Sequence, residues 1–573
     1  MRILLLCQAF NSLSQRLYVE LTRDGHELSV ELDIHDRVTL ETVELFRPEV
    51  VLAPFLKRAI PQSLWQRLPC LIVHPGPRGD RGPAALDWAI LKGVPDWGVT
   101  VLGAADDWDT GPVWASVPFP MRLATKSSLY RNEVTECAVV AVRAALARLT
   151  QGAGPIAMNN LGEPHGWQPA VPRARRSIDW ARDSTAVVLC KIRSADGAPG
   201  VEDLLLGRRF RLFDAHPERR LAGRPGTLIA RHHEAICRAT RDGAVWLGQL
   251  RPLEGPQQTL KLPAALALGP DAPTLPEGIP DTGQLDGARA LEIHYEERGA
   301  VGYLHFAFYN GALSRAQCER LRAAYAEARA RPTRVIVLMG GPDFWCNGMH
   351  LHCIEAAASA ADESWANINA IDDLTHDILT TGTHLTVAAL QGNAAAGGVF
   401  VALAADRVLA RSGIVLNPHY RNMGNLYGSE YWTYLLPRRV GAREASALMA
   451  RRLPLGVHEA RALGLIDEHA GPEGGEFRAF VEARAAELAE PARFGLLLAE
   501  KRARRARDES ERALAAYRAG ELEHMRLNFY GFDPSYHIAR HRFVYRTPHA
   551  WTPLHLAAHR RIGFAARPVA ASP

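Results

Sequence analysis

Cysteine and lysine are scarce in this 573-residue chain. Its eight cysteines show no paired C-x-x-C spacing, which excludes a disulfide scaffold and points to a reducing compartment. Lysine occurs only at 57, 92, 126, 191, 261 and 501, so the net charge of +5 is carried by arginine. Those arginines are scattered rather than clustered, which argues against a nucleic-acid partner, while a modest positive surplus suits anionic small ligands. No apolar run approaches the roughly 18 residues of a membrane span. Ile3 to Leu6 is too short for a secretory signal and is soon interrupted by Asn11 and Ser12. A cytoplasmic protein with neither a membrane nor a nucleic-acid partner is expected. No G-x-G-x-x-G follows the first strand, which speaks against a dinucleotide site.

What is present is ordinary in composition, 47% hydrophobic and 23% charged. The length exceeds one hydrophobic core, so about two to four domains are expected. Strand and helix patterns alternate at the start. Arg2–Cys7, Glu27–Leu32, Glu49–Ala53 and Leu71–Val73 read as strands, and Leu13–Thr22 as an amphipathic helix ending near Gly25. This is the pattern of a doubly wound parallel sheet, whose ligands gather beyond the strand carboxyl ends. Residues 151–176 and Pro263–Thr282 read as linkers. Between them, Val187–Ile192, Arg208–Phe213 and Ala244–Gly248 suggest a small β-barrel. From Ala290 a second α/β region begins, with strands at Val301–Phe306, Arg334–Met339 and Thr386–Leu390. Arg504–Arg512 reads as a solvated helix face rather than a binding arm.

The first chemical constellation is His74-Pro75-Gly76 with Asp109-Thr110-Gly111-Pro112, Gly98–Val101 forming a strand between them and Arg81-Gly82 following the histidine. A histidine oriented by an aspartate can move protons and stabilise a developing oxyanion. The spacing resembles that of the folate-dependent formyltransferase family. The resemblance implies that His74 and Asp109 are catalytic, that Arg81 helps hold the cofactor, and that a small β-domain follows, often opening on an Ile-Asp-Trp like Ile178-Asp179-Trp180. Two departures stand out. Ile72 occupies the place of the family's asparagine, and Gly-Pro-Arg-Gly-Asp, ending at Asp80, replaces its Ser-Leu-Leu-Pro. Loss of one oxyanion donor typically costs about 10²–10³ in rate, and a thiolate nucleophile would need that help less than water.

The second constellation is Phe344-Trp345-Cys346-Asn347-Gly348-Met349 with Gln391-Gly392-Asn393-Ala394-Ala395-Ala396-Gly397-Gly398. These loops, and the later Pro437–Gly441 and His458–Glu468, resemble the crotonase (enoyl-CoA hydratase/isomerase) family. By that resemblance the backbone amides of Met349 and Gly397 form an oxyanion hole for a thioester, with Gly348 and Gly398 lining the coenzyme A site. The hydratases activate water with two glutamates, and the first would follow Gly397-Gly398, where this chain has Val399-Phe400. Ordinary hydration is therefore not expected. The polar segment Asn417–Glu430 offers Tyr420 and Glu430 for acid–base work, with His419 the next candidate. Cys346 and Cys353 bracket His350 and His352, but without a C-x-x-C partner no metal site is expected.

Over its whole length the chain resembles the HypX (HoxX) family of hydrogenase maturation factors, through Phe10–Arg16, His74–Gly76 with Gly79–Gly82, and Asn417–Tyr434. The resemblance implies synthesis of the carbon monoxide ligand of [NiFe]-hydrogenase. Formyl would pass from 10-formyltetrahydrofolate to coenzyme A, formyl-CoA would lose CO, and hydrogenase maturation proteins would receive it. The expected architecture is α/β in three parts. These are a doubly wound formyltransferase domain at 1–165, an OB-like β-barrel at 175–275, and a crotonase-like α/β spiral with a helical tail at 286–573. Two other readings stay open: a formyl-folate hydrolase beside an independent acyl-CoA domain, and an assembly scaffold with decayed sites.

Overall fold

The computed structural model describes residues 1–157, 166–271, 274–280, 291–471 and 474–565. The chain divides into two compact units: 1–258 with 263–290 and 548–573, and 291–547 with 259–262.

The first unit opens with a six-stranded sheet in the spatial order Glu27–Leu32, Arg2–Cys7, Val50–Phe55, Cys70–His74, Asp96–Gly103, Val113–Pro120. The first four strands run parallel. Their apolar runs are buried on both faces, as such strands require. Asn11 caps the helix Ser12–Arg23 by accepting from the Ser14 amide at 3.0 Å, and Leu13, Leu17 and Leu21 form its buried stripe. The doubly wound α/β fold is therefore present, but Asp96–Gly103 runs antiparallel to both of its neighbours, Cys70–His74 and Val113–Pro120. Asp96–Gly103 and Val113–Pro120 are joined by a short connection, which permits only an antiparallel pair.

Five antiparallel strands follow, in the order Leu228–His232, Ala235–Ala239, Ala244–Pro252, Arg208–Glu218, Val201–Leu205. Val187–Ile192, expected among the strands, instead lies within the helix Thr185–Ala195. Ser184 caps that helix, and Val188, Leu189 and Ile192 bury at helical spacing; a six-residue apolar run carries no period that separates strand from helix. Of the first expected linker, 158–165 lies outside the described residues; the rest supplies Gly166–Trp167, paired with Asp80–Arg81. The second linker contains the helix Ala264–Leu268, and residues 272, 273, 281 and 282 lie outside the described residues.

The tail departs from the expected 286–573 region, because residues from 548 onward belong to the first unit. Its contacts supply the physical reason. Glu27–Leu32 is a sheet edge with unpaired backbone donors. The Val30 amide donates to Leu556 O at 3.1 Å and the Leu32 amide to Thr552 Oγ1 at 2.9 Å. Thr552 Oγ1 donates on to Glu31 at 2.6 Å, and His559 lies 2.8 Å from Ser29 Oγ.

The second unit is a spiral. Each turn lays a strand in one sheet and then a short strand in another. Val335–Met339 leads to Phe344–Cys346, Leu385–Leu390 to Asn393–Ala395, and Arg407–Arg411 to Val415–Asn417. The larger sheet is completed by Ile293–Arg298, Val301–Phe306 and Glu468–Ala470. Helices Arg315–Arg329, Ala360–Leu379, Gly397–Leu403, Trp432–Val440 and Leu514–Tyr530 pack about it. Arg504–Arg512 lies largely in the helix Pro491–Glu511 and is mostly exposed. Among the described residues no helix is long and apolar enough to cross a membrane.

Candidate active sites

In the first unit His74 ends the strand Cys70–His74, opposite Thr100 on the neighbouring strand. Asp109 lies in the loop before Val113–Pro120, in the left-handed region at φ 56°. The structure brings the pair together: His74 Nδ1 is 3.5 Å from Asp109 Oδ1, and Asp109 Oδ2 accepts from the Gly82 amide at 3.0 Å. It also adds a residue the motif did not name. Asp80 Oδ2 lies 2.9 Å from His74 Nε2, so each ring nitrogen faces a carboxylate. Burial opposes the charge on His74, but Asp109 and Asp80 outweigh it and raise its pKa to about 9. At neutral pH the ring is therefore an imidazolium. Burial would raise Asp109, yet His74, the Gly82 amide and Arg81 hold it below the usual carboxylate range.

Asp80 reaches the ring because the loop after His74 turns back tightly. The Asp80 amide donates to Pro77 O at 3.1 Å, Thr100 Oγ1 to Gly76 O at 2.9 Å, and Trp97 Nε1 to Pro75 O at 2.9 Å. Gly76 must be glycine for this, since a Cβ there would stand 2.4 Å from Asp80 Oδ2 and 2.5 Å from His74 Nε2. The sequence signal for Asp80 was the departure itself, the Gly-Pro-Arg-Gly-Asp that replaces the family's loop.

In the second unit the two glycine loops pair as parallel strands, Phe344 opposite Asn393 and Cys346 opposite Ala394. A bridge joins Leu313 to Met349. It uses the Gly348 carbonyl (2.9 Å) and the His350 amide (3.0 Å), leaving the Met349 amide outside that pairing. Gly397 opens the helix Gly397–Leu403, where amides have no carbonyl one turn back. Gly348, at φ 80°, would place a Cβ 3.6 Å from the Gly397 nitrogen, so the two loops lie side by side. Gly398 packs against Cys346 instead, and its carbonyl accepts from Trp345 Nε1 at 2.9 Å. His350 caps the helix Leu351–Ala356 through the Cys353 amide. Burial pushes the Cys346 thiol up to about 12 and His350 down to about 4.

Glu430 lies against the Gly397 turn: a Cβ on Gly397 would stand 2.0 Å from Glu430 Oε1. Tyr420 Oη donates to Glu430 Oε2 at 2.5 Å, and Phe400 stacks on the Tyr420 ring at 5.4 Å and 16°. Glu430 and Tyr431 are consecutive residues in the left-handed region, at φ 58° and 59°, a conformation costing about 1–3 kcal/mol each. Two carboxylates hold it in place. Asp372 accepts from the Glu430 amide at 2.7 Å and from Ser429 Oγ at 2.8 Å. Glu521 accepts from the Tyr431 amide at 2.9 Å, and from the Thr433 amide and hydroxyl at 2.8 and 2.6 Å. Burial, reinforced by Asp372, keeps Glu430 well above the ordinary carboxylate range. Burial also raises Asp372 to about 6 and Glu521 to about 8, and lifts the Tyr420 phenol well above its usual value. Asp372 and Glu521 were missed in the sequence. Their only signal is an acid within a buried helical stripe, Asp372 beside Ile368 and Ile371, and Glu521 in line with Met525 and Phe529. His419 is buried in the same loop.

Residues 171–263 match the formyl transferase C-terminal domain and residues 300–529 the enoyl-CoA hydratase/isomerase family. Methionyl-tRNA formyltransferase of Dechloromonas aromatica is 26% identical over 40% of this chain and 74% of its own. The crystal structure of HypX from Aquifex aeolicus in complex with tetrahydrofolic acid superposes with a TM-score of 0.93 at 49% identity, covering 98% of this chain and 99% of that one. Hydrogenase maturation factor HoxX of Bradyrhizobium diazoefficiens is 54% identical over 570 residues, 99% of each chain. That likeness runs over the whole length, and the chain belongs to the HypX/HoxX family of hydrogenase maturation factors.

Proposed function

We propose that this protein makes carbon monoxide for hydrogenase maturation in two steps. The first unit transfers formyl from 10-formyltetrahydrofolate to the thiol of coenzyme A. The second unit splits formyl-CoA into CO and coenzyme A. The atoms balance, since 10-formyltetrahydrofolate equals tetrahydrofolate plus CO, and coenzyme A is regenerated. The tetrahydrofolate in the Aquifex relative and the formyltransferase match support the folate half. Membership of the maturation-factor family supports the destination of the product.

The observation that carries the second half is the Glu430–Tyr420 pair set against the Gly397 turn, with Phe400 where a hydratase keeps a carboxylate. The amides of Met349 and Gly397 hold the thioester oxygen. The sequence assigns Glu430 to acid–base work without fixing which comes first. Its raised pKa sets the order of events, because a buried acid that is neutral at rest must first give a proton. Glu430 protonates the departing sulfur and receives the formyl proton in return, ending neutral again. Tyr420 stays protonated and steadies the carboxylate while its proton is away. Phe400, fully buried, keeps the pocket dry and suppresses hydrolysis to formate.

The test is direct. Purified protein with 10-formyltetrahydrofolate and coenzyme A should shift the Soret band of added deoxyhaemoglobin to the CO-bound position. Formate in place of CO would overturn the reading in favour of a hydrolase.

A further inference from the structure

Neither ring nitrogen of His74 is open to a substrate. Nδ1 faces Asp109 and Nε2 faces Asp80, and the raised pKa means both nitrogens carry protons. A histidine in that state has no lone pair with which to accept a proton. Asp80 is only 2% exposed. One of its oxygens meets the ring, and the other, Oδ1, is buried with no hydrogen-bond partner among the described residues. A buried carboxylate oxygen left unpaired costs free energy unless something else occupies its acceptor site.

We propose that Asp80, rather than His74, exchanges the proton with the reacting atoms of formyl transfer, through Oδ1. His74 and Asp109 then act as positioning residues. The imidazolium holds Asp80 through Oδ2 and balances its charge, and Asp109 holds the imidazolium. This rests on the reading that the formyl acceptor is a thiol. An amine attacks with a lone pair it already has, whereas a thiol of pKa about 8.5 is mostly protonated at pH 7 and needs a base. In the step proposed, Asp80 Oδ1 takes the thiol proton as the sulfur–carbon bond forms. It returns that proton to the folate nitrogen as the carbon–nitrogen bond breaks, and ends as a carboxylate. The same loop that departs from the formyltransferase pattern delivers Asp80, and Gly76 leaves room for its approach.

The test uses the full chain with Asp80→Asn, which is isosteric and keeps an oxygen to accept from His74 Nε2. Its fold is checked by a circular-dichroism melt. At pH 7, coenzyme-A-dependent release of tetrahydrofolate should fall about 10²–10³-fold, with KM for either co-substrate changed by less than about twofold. His74 faces this carboxylate, Asp109 faces the other side of the ring and Arg81 acts on Asp109, and the variant leaves all three in place. Because solvent can ionise the thiol instead, the deficit should shrink about tenfold per unit between pH 6.5 and 8.5. Losing a neighbouring carboxylate also lets His74 shed its proton at lower pH, so a deficit acting through His74 would widen as pH rises. A widening or constant deficit, or a wild-type rate in the variant, overturns the assignment to Asp80 alone. Wild-type protein that releases tetrahydrofolate equally fast with and without coenzyme A overturns the thiol-acceptor reading and the assignment with it.

Discussion

His74 in the first unit and Glu430 in the second are both buried groups held far from their ordinary titration range, and the same kind of neighbour, a carboxylate, acts on them with opposite effect on charge. Two carboxylates flank His74, so opposite charge defeats burial and the ring stays charged. Glu430 has carboxylates for neighbours too, Asp372 and Glu521, but for an acid these are like charges that add to burial and keep it neutral. One site sets a histidine of raised pKa between two carboxylates, and the other sets a buried acid of raised pKa against a phenol. Formyl transfer to a thiol needs a place for a proton to go. Loss of CO needs a proton supplied to sulfur before one is taken from carbon. On the proposed reading, one kind of side chain, a buried aspartate or glutamate, would serve either end by the sign of what stands next to it.

The largest effects should come from removing the central group of each pair. His74→Ala and Asp109→Asn are expected to lower formyl-folate consumption by about 10³–10⁴-fold, because Asp80 loses the imidazolium that holds it or the group that fixes that imidazolium, while CO release from supplied formyl-CoA continues. Wild-type tetrahydrofolate release in both would dissolve the first half of the comparison. Next in size, Glu430→Gln should cut CO formation by about 10²–10⁴-fold and leave coenzyme-A-dependent release of tetrahydrofolate running, so that formyl-CoA accumulates. If CO still forms at the wild-type rate, the proton source lies elsewhere, with His419 next in line. Tyr420→Phe keeps the ring stacked on Phe400 but removes the hydroxyl 2.5 Å from Glu430. Roughly tenfold slower CO release is expected, the scale of one hydrogen bond to a charged group.

Asp372→Asn sharpens the contrast further. It retains an oxygen for the Glu430 amide but removes the charge that helps keep Glu430 protonated. The pH at which CO release falls off on the alkaline side should move down by about one unit. An unchanged alkaline limb would mean that burial alone sets Glu430 and that Asp372 merely holds the turn.

Much of this was readable in the chain because it is local. Arg2–Cys7 is an apolar run and Glu27–Leu32 alternates polar with apolar residues, and both match their strands residue for residue, while the glycine loops announce close backbone approach. His74 and Asp109 were found through a spaced motif and lie together as expected. What stayed hidden depends on distant packing. Asp372 and Glu521 meet the Ser429–Thr433 turn from helices 58 and about 90 positions away. The segment from 548 onward crosses back to an edge strand some 520 residues earlier, and no local pattern announces that. Asp80 is close in sequence, but its contact with the ring depends on a turn conformation that the residue order alone does not fix. Val187–Ile192 failed for the opposite reason: the run is local but too short to show a period.

The smallest and broadest prediction concerns stability, where the two sites should respond to pH with the same sign despite their opposite electrostatics. His74 has a folded value of about 9 against an ordinary 6.5, so its contribution is fully present below 6.5 and is lost as pH rises through 9. Glu521, raised from 4.5 to about 8, is favoured in its neutral form, and that contribution is present below 4.5 and lost as pH rises through 8. Asp372, raised from 3.8 to about 6, adds a smaller loss earlier in the same direction. Both sites should therefore weaken the fold as pH rises from 6 to 9.5, and the melting temperature should drop by roughly 5 °C, each kcal/mol counting for a few degrees in a domain of this size. Glu521→Gln removes the acid from the second site and should flatten only the part of the slope below about pH 8. A melting temperature that holds steady or climbs across this range would show that His74 and the acid pair are compensated elsewhere, and that their raised values are not linked to folding.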